Sequence, residues 1–271
     1  MTDDDHALAR ELAEEAGRRL LELRAGGGFS DEPDLLRKAG DRQSHEFLTA
    51  ELARRRPGDV VLSEEGADDP ARLAAERVWI VDPLDGTREF GEPGRTDWAV
   101  HVALWERRAA QGAGDLTAGA VALPAQGQVL STLDLPAPKE AHGAAGAGAS
   151  GSSAPTGRLR IVVSRTRAPR FVQDISELIN VELVPWGSAG AKVATVVCGE
   201  TDAYIHGGGF YEWDTAAPVA VARAAGLHAS RIDGSALAYN QVDLLMPDIL
   251  VCRPALAGSL LQAIREVTHA S

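Results

Sequence analysis

The sequence has few cysteines, no long apolar run and no excess of positive charge. Its two cysteines, Cys198 and Cys252, stand in apolar surroundings without the spacing of zinc ligands, so we expect both to be reduced core residues. No apolar stretch approaches the roughly 20 residues that a membrane helix needs. The acidic start, Met1–Asp5, lacks the basic and apolar regions of a signal peptide. We therefore expect a cytoplasmic protein with no membrane partner.

The charge balance narrows the choice of partners further. The net charge is −12 over 271 residues and the sequence pI is about 5.0. Polymeric nucleic acids and anionic membranes bind basic surfaces, so neither is expected as a partner. A small anionic substrate remains compatible, because bound cations can invert the local field.

Helical and alternating apolar patterns predict a mixed α/β (α+β) fold. A helix is expected from about His6 to Arg24, and a second one from about Asp41 to the turn at Arg56–Asp59. Antiparallel strands are expected next, and strands that alternate with helices in the second half. The expected strands cover 60–62, 98–105, 118–123, 128–132, 159–163, 182–185, 204–205 and 249–252, and the later helices cover 171–179, 189–197, 215–225 and a segment ending near 267.

A change of composition divides the chain. Residues 136–157 are rich in Ala, Gly, Ser and Pro and have almost no large apolar side chain. Such a stretch cannot bury enough surface to offset its ordering entropy, so we expect a flexible surface loop. It would separate an α+β subdomain, residues 1–135, which carries acidic residues for a metal site, from an α/β subdomain, residues 158–271.

The most informative stretch runs from Val78 to Thr87, where an apolar strand leads directly into Asp82 and Asp85. The strand favours burial, whereas the carboxylates favour water or a cation. Pro83 fixes one φ angle and Gly86 permits an unusual one, so both carboxylates and the Leu84 carbonyl can turn towards one point. Hard divalent cations take such oxygen ligands. The alternative is an exposed acidic turn.

Other segments offer more acids and groups that bind anions. Glu64 follows the strand at 60–62, and Asp214 lies at a helix start. The N–H groups of Gly86, Thr87 and the helix start Gly187–Gly190 favour phosphate. Together these groups favour metal-assisted phosphate chemistry. The chain lacks GxxxxGK[ST], so it is no P-loop NTPase, while a structural metal site in a non-catalytic binding protein stays open. On local grounds Asp41 is as suited to helix capping as to catalysis.

Three segments, Ser63–Glu65, Trp79–Thr87 and Trp213–Ala217, also resemble the signatures of the inositol monophosphatase superfamily in sequence, order and separation. The resemblance covers nearly the whole chain. It implies a layered αβαβα sandwich of the inositol monophosphatase and fructose-1,6-bisphosphatase type. It also implies Mg²⁺-dependent, Li⁺-sensitive hydrolysis of a small phosphomonoester by water that two or three metal ions activate, and a homodimer.

The resemblance further implies residue roles. Glu64, Asp82 and the Leu84 carbonyl would hold the first metal, whereas Asp82, Asp85 and Asp214 would hold the second, with a weaker third ion near Glu64. Thr87, bonded to Asp41, would orient and activate the attacking water. The residues expected to contact the substrate are Glu64, Leu84, Asp85, Gly86, Thr87, Gly187, Ser188, Ala189, Lys192 and Asp214.

The segment Thr87–Phe90 resembles the CysQ-like branch of the superfamily, which hydrolyses 3′-phosphoadenosine 5′-phosphate (PAP) in sulfur assimilation. Inositol phosphatases more often have Asn in place of Glu89, and a Glu shortly before the Trp-Asp motif. Here His206–Gly209 offers no carboxylate at that point, and Glu212 is too close to Asp214. These differences favour PAP. Inositol 1-phosphate, fructose 1,6-bisphosphate and a broad specificity are the alternatives.

Basic and aromatic side chains near these motifs are candidates for contact with a nucleotide. Lys192 follows the predicted anion-binding helix start, while Arg165 and Arg167 follow a strand and can meet a second phosphate. Pairing with Glu89 or Asp97 is an alternative for Arg88. For Trp186 and Tyr211, core packing is favoured over stacking on adenine, and His101 is expected to be a satisfied sheet residue.

Overall fold

The computed structural model describes residues 3–29, 32–108, 114–135, 158–166 and 168–269. The expected loop at 136–157 and the candidate Arg167 lie outside these residues. The helices are α1 (Asp3–Ala25), α2 (Pro33–Arg55), α3 (Thr87–Gly91), α4 (Arg170–Leu178), α5 (Ala189–Val197), α6 (Glu212–Ala224) and α7 (Pro254–His269). Short 3₁₀ turns cover Pro70–Ala74 and Pro124–Gln126.

Twelve strands are found in the described residues. They are β1 (Val60–Ser63), β2 (Arg77–Asp85), β3 (Ala99–Arg107), β4 (Gly114–Leu123), β5 (Gln128–Ser131), β6 (Leu159–Ser164), β7 (Val181–Trp186), β8 (Ala203–His206), β9 (Phe210–Tyr211), β10 (His228–Ser230), β11 (Leu245–Met246) and β12 (Ile249–Cys252).

The strands form two five-stranded sheets and a small ribbon of β9 and β11. The first sheet has the order β1-β2-β3-β4-β5, with β1 parallel to β2 and the other pairs antiparallel. The second has the order β10-β12-β8-β6-β7, with β6 parallel to both of its neighbours. All strands of the first sheet precede residue 136, and all strands of the second follow residue 157.

Helices cover both faces of both sheets, which gives the expected αβαβα layers. Helices α1 and α2 cover the outer face of the first sheet, α5 and α6 lie between the sheets, and α4 and α7 cover the far face of the second. Strand β2 shows why the layers form. Trp79 and Val81 join the α1–α2 cluster, whereas Val78 and Ile80 join the middle cluster, so the strand is apolar on both faces.

Two predicted helix starts were wrong. Helix α2 begins at Pro33 and not near Asp41, so Asp41 lies inside the helix and cannot cap it. Gly40 does not end this helix but permits a close approach, because a Cβ there would lie 2.9 Å from Phe90 Cε1. Helix α6 begins at Glu212, so Asp214 is already in its first turn. The predicted bounds of α5, by contrast, were confirmed.

The structure bears on two sequence features, the two cysteines and the lack of a long apolar run. Cys198 and Cys252 are buried and carry no disulfide, as predicted. None of the helices in the described part of the chain has the length and apolar character that a membrane span requires.

Candidate active site

A bulge in β2 turns its two aspartates towards the same side of the sheet. Asp82 lies opposite His101 and Asp85 lies opposite Ala99, so three residue steps on β2 match two on β3. Without the extra residue, Asp82 and Asp85 would point to opposite faces, because side chains alternate along a strand. With it, both face the middle layer. Ser44 of α2 holds the bulge by donating its hydroxyl to the Pro83 carbonyl at 2.7 Å.

Glu64 and Asp214 approach the bulge from two different elements. Glu64 directly follows β1, which runs parallel to β2, so both strands end at the same edge of the sheet. Asp214 lies in the first turn of α6 and accepts a bond from the Tyr211 N–H at 2.6 Å. One carboxylate oxygen from each of Asp82, Asp85 and Asp214 lies within 4.8 Å of the others. Glu64 is not part of this triad, but its charge acts on Asp82, so the predicted acids from three elements lie near one another.

The crowded carboxylates resist ionisation. Burial, followed by the charges of Glu64 and Asp85, raises the pKa of Asp82 well above its usual value. Burial and the charge of Asp214 raise the pKa of Glu64 to about 8, although the Glu64 residue as a whole is exposed. Burial and the charge of Asp85 raise the pKa of Asp214 to about 6. Crowded carboxylate oxygens of this kind fit a hard divalent cation, which would favour their ionised form.

Asp85 is the exception, because the protein itself stabilises its charge. Burial alone would raise its pKa, but the charge of His101, Lys192 and a bond from Ser188 lower it to about 2. Asp85 Oδ2 accepts hydrogen bonds from the Ser188 hydroxyl and, at 2.8 Å, from the Gly190 N–H. His101 Nε2 lies 3.2 Å from the same oxygen. No described residue bonds to Oδ1, so this oxygen remains for a ligand.

The start of α5 is occupied largely by protein carboxylates. The Gly187 N–H donates to Asp97 at 2.6 Å, the Gly190 N–H donates to Asp85, and the Ala191 N–H donates to the Ser188 hydroxyl. The prediction that the whole segment offers N–H groups to phosphate is therefore wrong for Gly187 and Gly190. The reason is that buried Asp97 and Asp85 already occupy the positive end of this helix.

Close packing fixes where α5 begins relative to β3. A Cβ on Gly190 would lie 2.0 Å from His101 Nε2, so only glycine fits. His101 is fully buried and its Nδ1 lies 3.1 Å from the Trp213 carbonyl. It is thus a sheet histidine, as expected. Its two ring nitrogens contact Asp85 and the Trp213 carbonyl in the first turn of α6.

Thr87 and Asp41 lie beside the cluster. The Thr87 hydroxyl donates to the Leu84 carbonyl at 2.9 Å, and Asp41 Oδ1 is 3.4 Å away. Burial, with a smaller effect from the charge of Glu65, raises the pKa of Asp41 to about 7. Gly86 precedes Thr87 with φ 85°, a left-handed conformation, and a Cβ there would lie 3.1 Å from Ser188 Cβ. Glycine is therefore required at the turn into α3.

A cavity of about 480 Å³ opens from this edge of the first sheet and reaches the second. Its volume lies within the usual range for small-molecule sites. One wall carries Asp85, Gly86, Thr87 and Asp214, and the helix start adds Gly187, Ser188 and Ala189. The opposite wall carries residues that the sequence did not single out as ligands: Ser164, Thr166, Tyr204, His206 and Phe210.

The cavity also contains the basic candidates. Lys192 is buried, donates to the Ser188 carbonyl at 2.6 Å and lies 5.3 Å from the centre of the Tyr204 ring. Burial lowers its pKa to about 8 despite the nearby carboxylates. Arg88 and Arg165 line the cavity too. Glu89 pairs with Arg165 and Asp97 pairs with Arg95, so the alternative of Arg88 pairing with either carboxylate is not found among the described residues.

The two aromatic candidates differ. Trp186 packs in part against the middle core cluster, as the sequence favoured, and it also lines the cavity. Tyr211 is 45% exposed and stacks on Trp213 at 4.9 Å between ring centres, so it is not the core residue that the sequence favoured.

Glu212 faces away from the cavity. Its buried carboxylate accepts the N–H groups of Asn240 and Gln241 at 2.7 and 2.8 Å. It therefore cannot serve the cavity in place of the carboxylate that His206–Gly209 lacks.

Ser44 and Asp97 are supporting residues that the sequence analysis missed. Ser44 holds the bulge, and Asp97 holds the Gly187 N–H from a segment 90 residues away. Neither stands in a recognisable motif, and only the pairing of distant elements shows their roles.

Comparisons with known proteins agree with this architecture. The model of the inositol monophosphatase family matches residues 5–269. The 3′-phosphoadenosine 5′-phosphate phosphatase of Mycobacterium tuberculosis is 52% identical over 252 residues, which cover 93% of this chain and 90% of the relative.

Two solved structures resemble the fold over almost its full length. CysQ from Bacteroides thetaiotaomicron is 28% identical with a TM-score of 0.71, covering 93% of this chain and 97% of the other. Inositol monophosphatase II from Staphylococcus aureus has a TM-score of 0.77 at 20% identity, covering 100% and 98%. The second likeness supports the fold alone.

Proposed function

The chain belongs to the inositol monophosphatase family, and on that premise we propose that it is a phosphoric monoester hydrolase that converts PAP to AMP and phosphate. One structural observation carries the proposal: Asp85 and Asp214 line the same cavity as Arg165 and Lys192. Metal-binding carboxylates and cations for a second phosphate thus share one space. The 52% identity to a PAP phosphatase supports the same substrate.

The proposed cofactor is Mg²⁺, with two or three ions per site. Glu64, Asp82 and the Leu84 carbonyl would hold one ion, Asp82, Asp85 and Asp214 another, and a third would bind near Glu64. When bound, such ions lower the pKa of water and neutralise charge on the phosphate and the leaving oxygen. Li⁺ sensitivity belongs to the same proposal.

The chain's own residues would orient the water and move its proton. The Thr87 hydroxyl has one proton and two acceptors in reach, the Leu84 carbonyl at 2.9 Å and Asp41 at 3.4 Å. Turned towards Asp41, the hydroxyl oxygen can accept a proton from water while its own proton passes to the carboxylate. A pKa near 7 suits Asp41 to this exchange at neutral pH. The Gly86 and Thr87 N–H groups would hold phosphate oxygens.

Lys192 and the helix start would shape the rest of the site. Lys192 bonds to the Ser188 carbonyl, so it fixes the segment that faces the non-phosphate part of the substrate. The N–H groups of Ser188 and Ala189 remain available there, because no described residue accepts a bond from either. The buried orientation of Glu212 disfavours inositol phosphates, which lose their expected hydroxyl-binding carboxylate.

A substrate panel tests the proposal. The values of kcat/KM for PAP, inositol 1-phosphate and fructose 1,6-bisphosphate would be compared under titration with Mg²⁺ and Li⁺. We expect PAP to be preferred, and Asp82→Asn to lower kcat/KM by about 10³-fold. A clear preference for inositol 1-phosphate would refute the substrate, and unchanged turnover in Asp82→Asn would refute the site.

A second pair of variants tests the proton path. Thr87→Ala should lower kcat by roughly 10²–10⁴-fold, because general acid–base assistance contributes about that much. Thr87→Ser keeps the hydroxyl and should retain most of the activity. Equal losses in both variants would show that the methyl group, and not the hydroxyl, is what matters.

The cellular setting is part of the proposal. We expect the reaction to take place in the cytoplasm and to remove PAP left by sulfate activation during sulfur assimilation. A homodimer is proposed from the family resemblance, and light scattering of the purified protein tests it.

A further inference from the structure

An ion pair joins the two halves of the protein at the cavity. Glu89 lies on α3, whose N-terminus follows the β2 bulge, and Arg165 directly follows β6 of the second sheet. The Arg165 guanidinium donates from Nη2 and Nε to one oxygen of Glu89, at 2.7 and 3.2 Å. Its Nη2 also donates to Glu92 at 2.9 Å. Two carboxylates thus hold one side of a single guanidinium.

A carboxylate at this place needs an explanation, because the cavity is proposed to bind an anion. Glu89 is only 6% exposed, and a buried charge is costly unless it is paired. Its charge also acts on buried Lys192. Left unpaired, Glu89 would repel a phosphate, so its presence is useful only together with Arg165.

Packing holds Glu89 firmly in place. A Cβ on Gly187 would lie 2.4 Å from Glu89 Cγ and 2.5 Å from Glu89 Cδ. The side chain is therefore pressed against the residue that leads into α5, and it cannot move far. Of the two acids that hold Arg165, Glu89 is therefore packed in place, whereas the Glu92 side chain is 36% exposed.

The geometry leaves one edge of Arg165 available. A guanidinium has five N–H donors in a planar fork, and the three bonds named above use only Nε and Nη2. No described residue accepts a bond from Nη1, and the side chain, 28% exposed, lines the cavity. The two N–H groups of Nη1 can each donate a charge-assisted bond to a phosphate oxygen.

We propose that Glu89 is a positioning residue that, with Glu92, fixes Arg165 so that its remaining edge binds a second phosphate group of the substrate. The pair would thereby set the preference for a bisphosphorylated nucleotide over a monophosphate. This inference rests on the proposed function and deepens it.

The test compares two substrates in each protein preparation. PAP carries the second phosphate and adenosine 3′-monophosphate lacks it, so the ratio of their kcat/KM values reports use of that group. This ratio does not depend on the fraction of active protein, so partial misfolding of a variant cannot imitate the effect. We expect Arg165→Gln to lower the ratio by roughly 10–100-fold and Glu89→Gln by roughly 3–10-fold, as lost charge-assisted bonds do.

Three further variants make the result specific. Arg165→Lys keeps the charge without the fork and should recover part of the ratio. The double variant Glu89→Gln with Arg165→Gln should have a ratio no lower than Arg165→Gln alone, if Glu89 acts through Arg165. Glu51→Gln weakens an exposed ion pair with Arg54 on α2, far from the proposed substrate contacts, and should keep the wild-type ratio.

The outcomes separate the two proposals. If the wild type shows no preference for PAP over the monophosphate, the proposed substrate fails and the inference fails with it. If the wild type shows the preference but Glu89→Gln keeps the same ratio, the substrate stands and Glu89 has no positioning role. A double variant with a lower ratio than either single variant would show that the two residues act independently.

Discussion

Replacing Asp214 with Asn should make the metal-free protein more stable while it removes the response to Mg²⁺. Asp214 has a pKa near 6, against an ordinary value of 3.8, because it is partly buried beside other carboxylates. The variant keeps an oxygen that can accept the Tyr211 N–H at the start of α6. The change therefore removes the charge without removing the helix cap.

The size of the effect follows from the shift in pKa. Two pKa units correspond to about 3 kcal/mol of unfavourable ionisation at pH 8. Asp214 is only partly buried, and water screens part of this cost, so a gain of about 1–2 kcal/mol in the free energy of unfolding is expected. Loss of a negative charge in the first turn of α6 reduces this gain by a few tenths of a kcal/mol.

The dependence on pH has a definite sign. The folded protein binds the Asp214 proton more tightly than the unfolded chain does, so the wild type loses this stability as pH rises from about 4 through 6. The two proteins should therefore be equally stable near pH 4, and the variant should be the more stable one above pH 7.

Urea unfolding in EDTA at pH 4, 6 and 8 measures the difference. In Mg²⁺ at about 100 times its Kd, the wild type should gain about 2.7 kcal/mol and the variant much less. As a control, Asp34→Asn removes an exposed charge on α2. It should change the free energy of unfolding in EDTA, and the gain from Mg²⁺, by less than about 0.5 kcal/mol each. A variant that is less stable than the wild type in EDTA at pH 8, or that gains as much from Mg²⁺, would refute the crowded-carboxylate account.

Two further predictions concern the start of α5. Ser188→Ala removes the bonds to Asp85 and to the Ala191 N–H, so it should lower the free energy of unfolding by about 1–2 kcal/mol. Ser176→Ala removes only an exposed bond to the Gln173 carbonyl on α4 and should barely change this free energy. Equal effects of the two substitutions in urea unfolding would contradict the proposed anchoring. Gly190→Ala places a methyl group against buried His101 and should cost about 1–3 kcal/mol in thermal unfolding. Gly258→Ala on α7 meets open space and should stabilise the protein by up to about 1 kcal/mol; a tolerated Gly190→Ala would show that α5 can shift.

Local signals in the sequence were sufficient for the mixed α/β character of the fold and for the aspartates of the site. The run Val78–Val81 is apolar at every position, and such a run is typical of a strand buried on both faces. Its abrupt end in Asp82 and Asp85 indicated a cation site, and the structure brings these two aspartates together with Asp214. The resemblance to a known family then supplied the order of the layers.

Long-range packing explains what the sequence analysis missed. Gly40 is a helix breaker by local rules, yet it lies inside α2. Glycine is needed at this point of the helix because Phe90 and Leu84 occupy the space that a side chain would need. The N–H groups at Gly187 and Gly190 looked free for phosphate, but Asp97 and Asp85 reach them from 90 and 105 residues away. No local pattern carries such pairings.

Helix α6 contributes Asp214 at one end while its body fills the layer between the two sheets. Ala217 and Val219 belong to the same core cluster as Ile80 of the first sheet and Val162 of the second. A chain cut between residues 135 and 158 would therefore give two fragments, each lacking part of the ligand set and one side of this middle layer. Recovery of phosphatase activity on mixing such fragments would report their assembly, which makes this fold suited to a split-enzyme sensor.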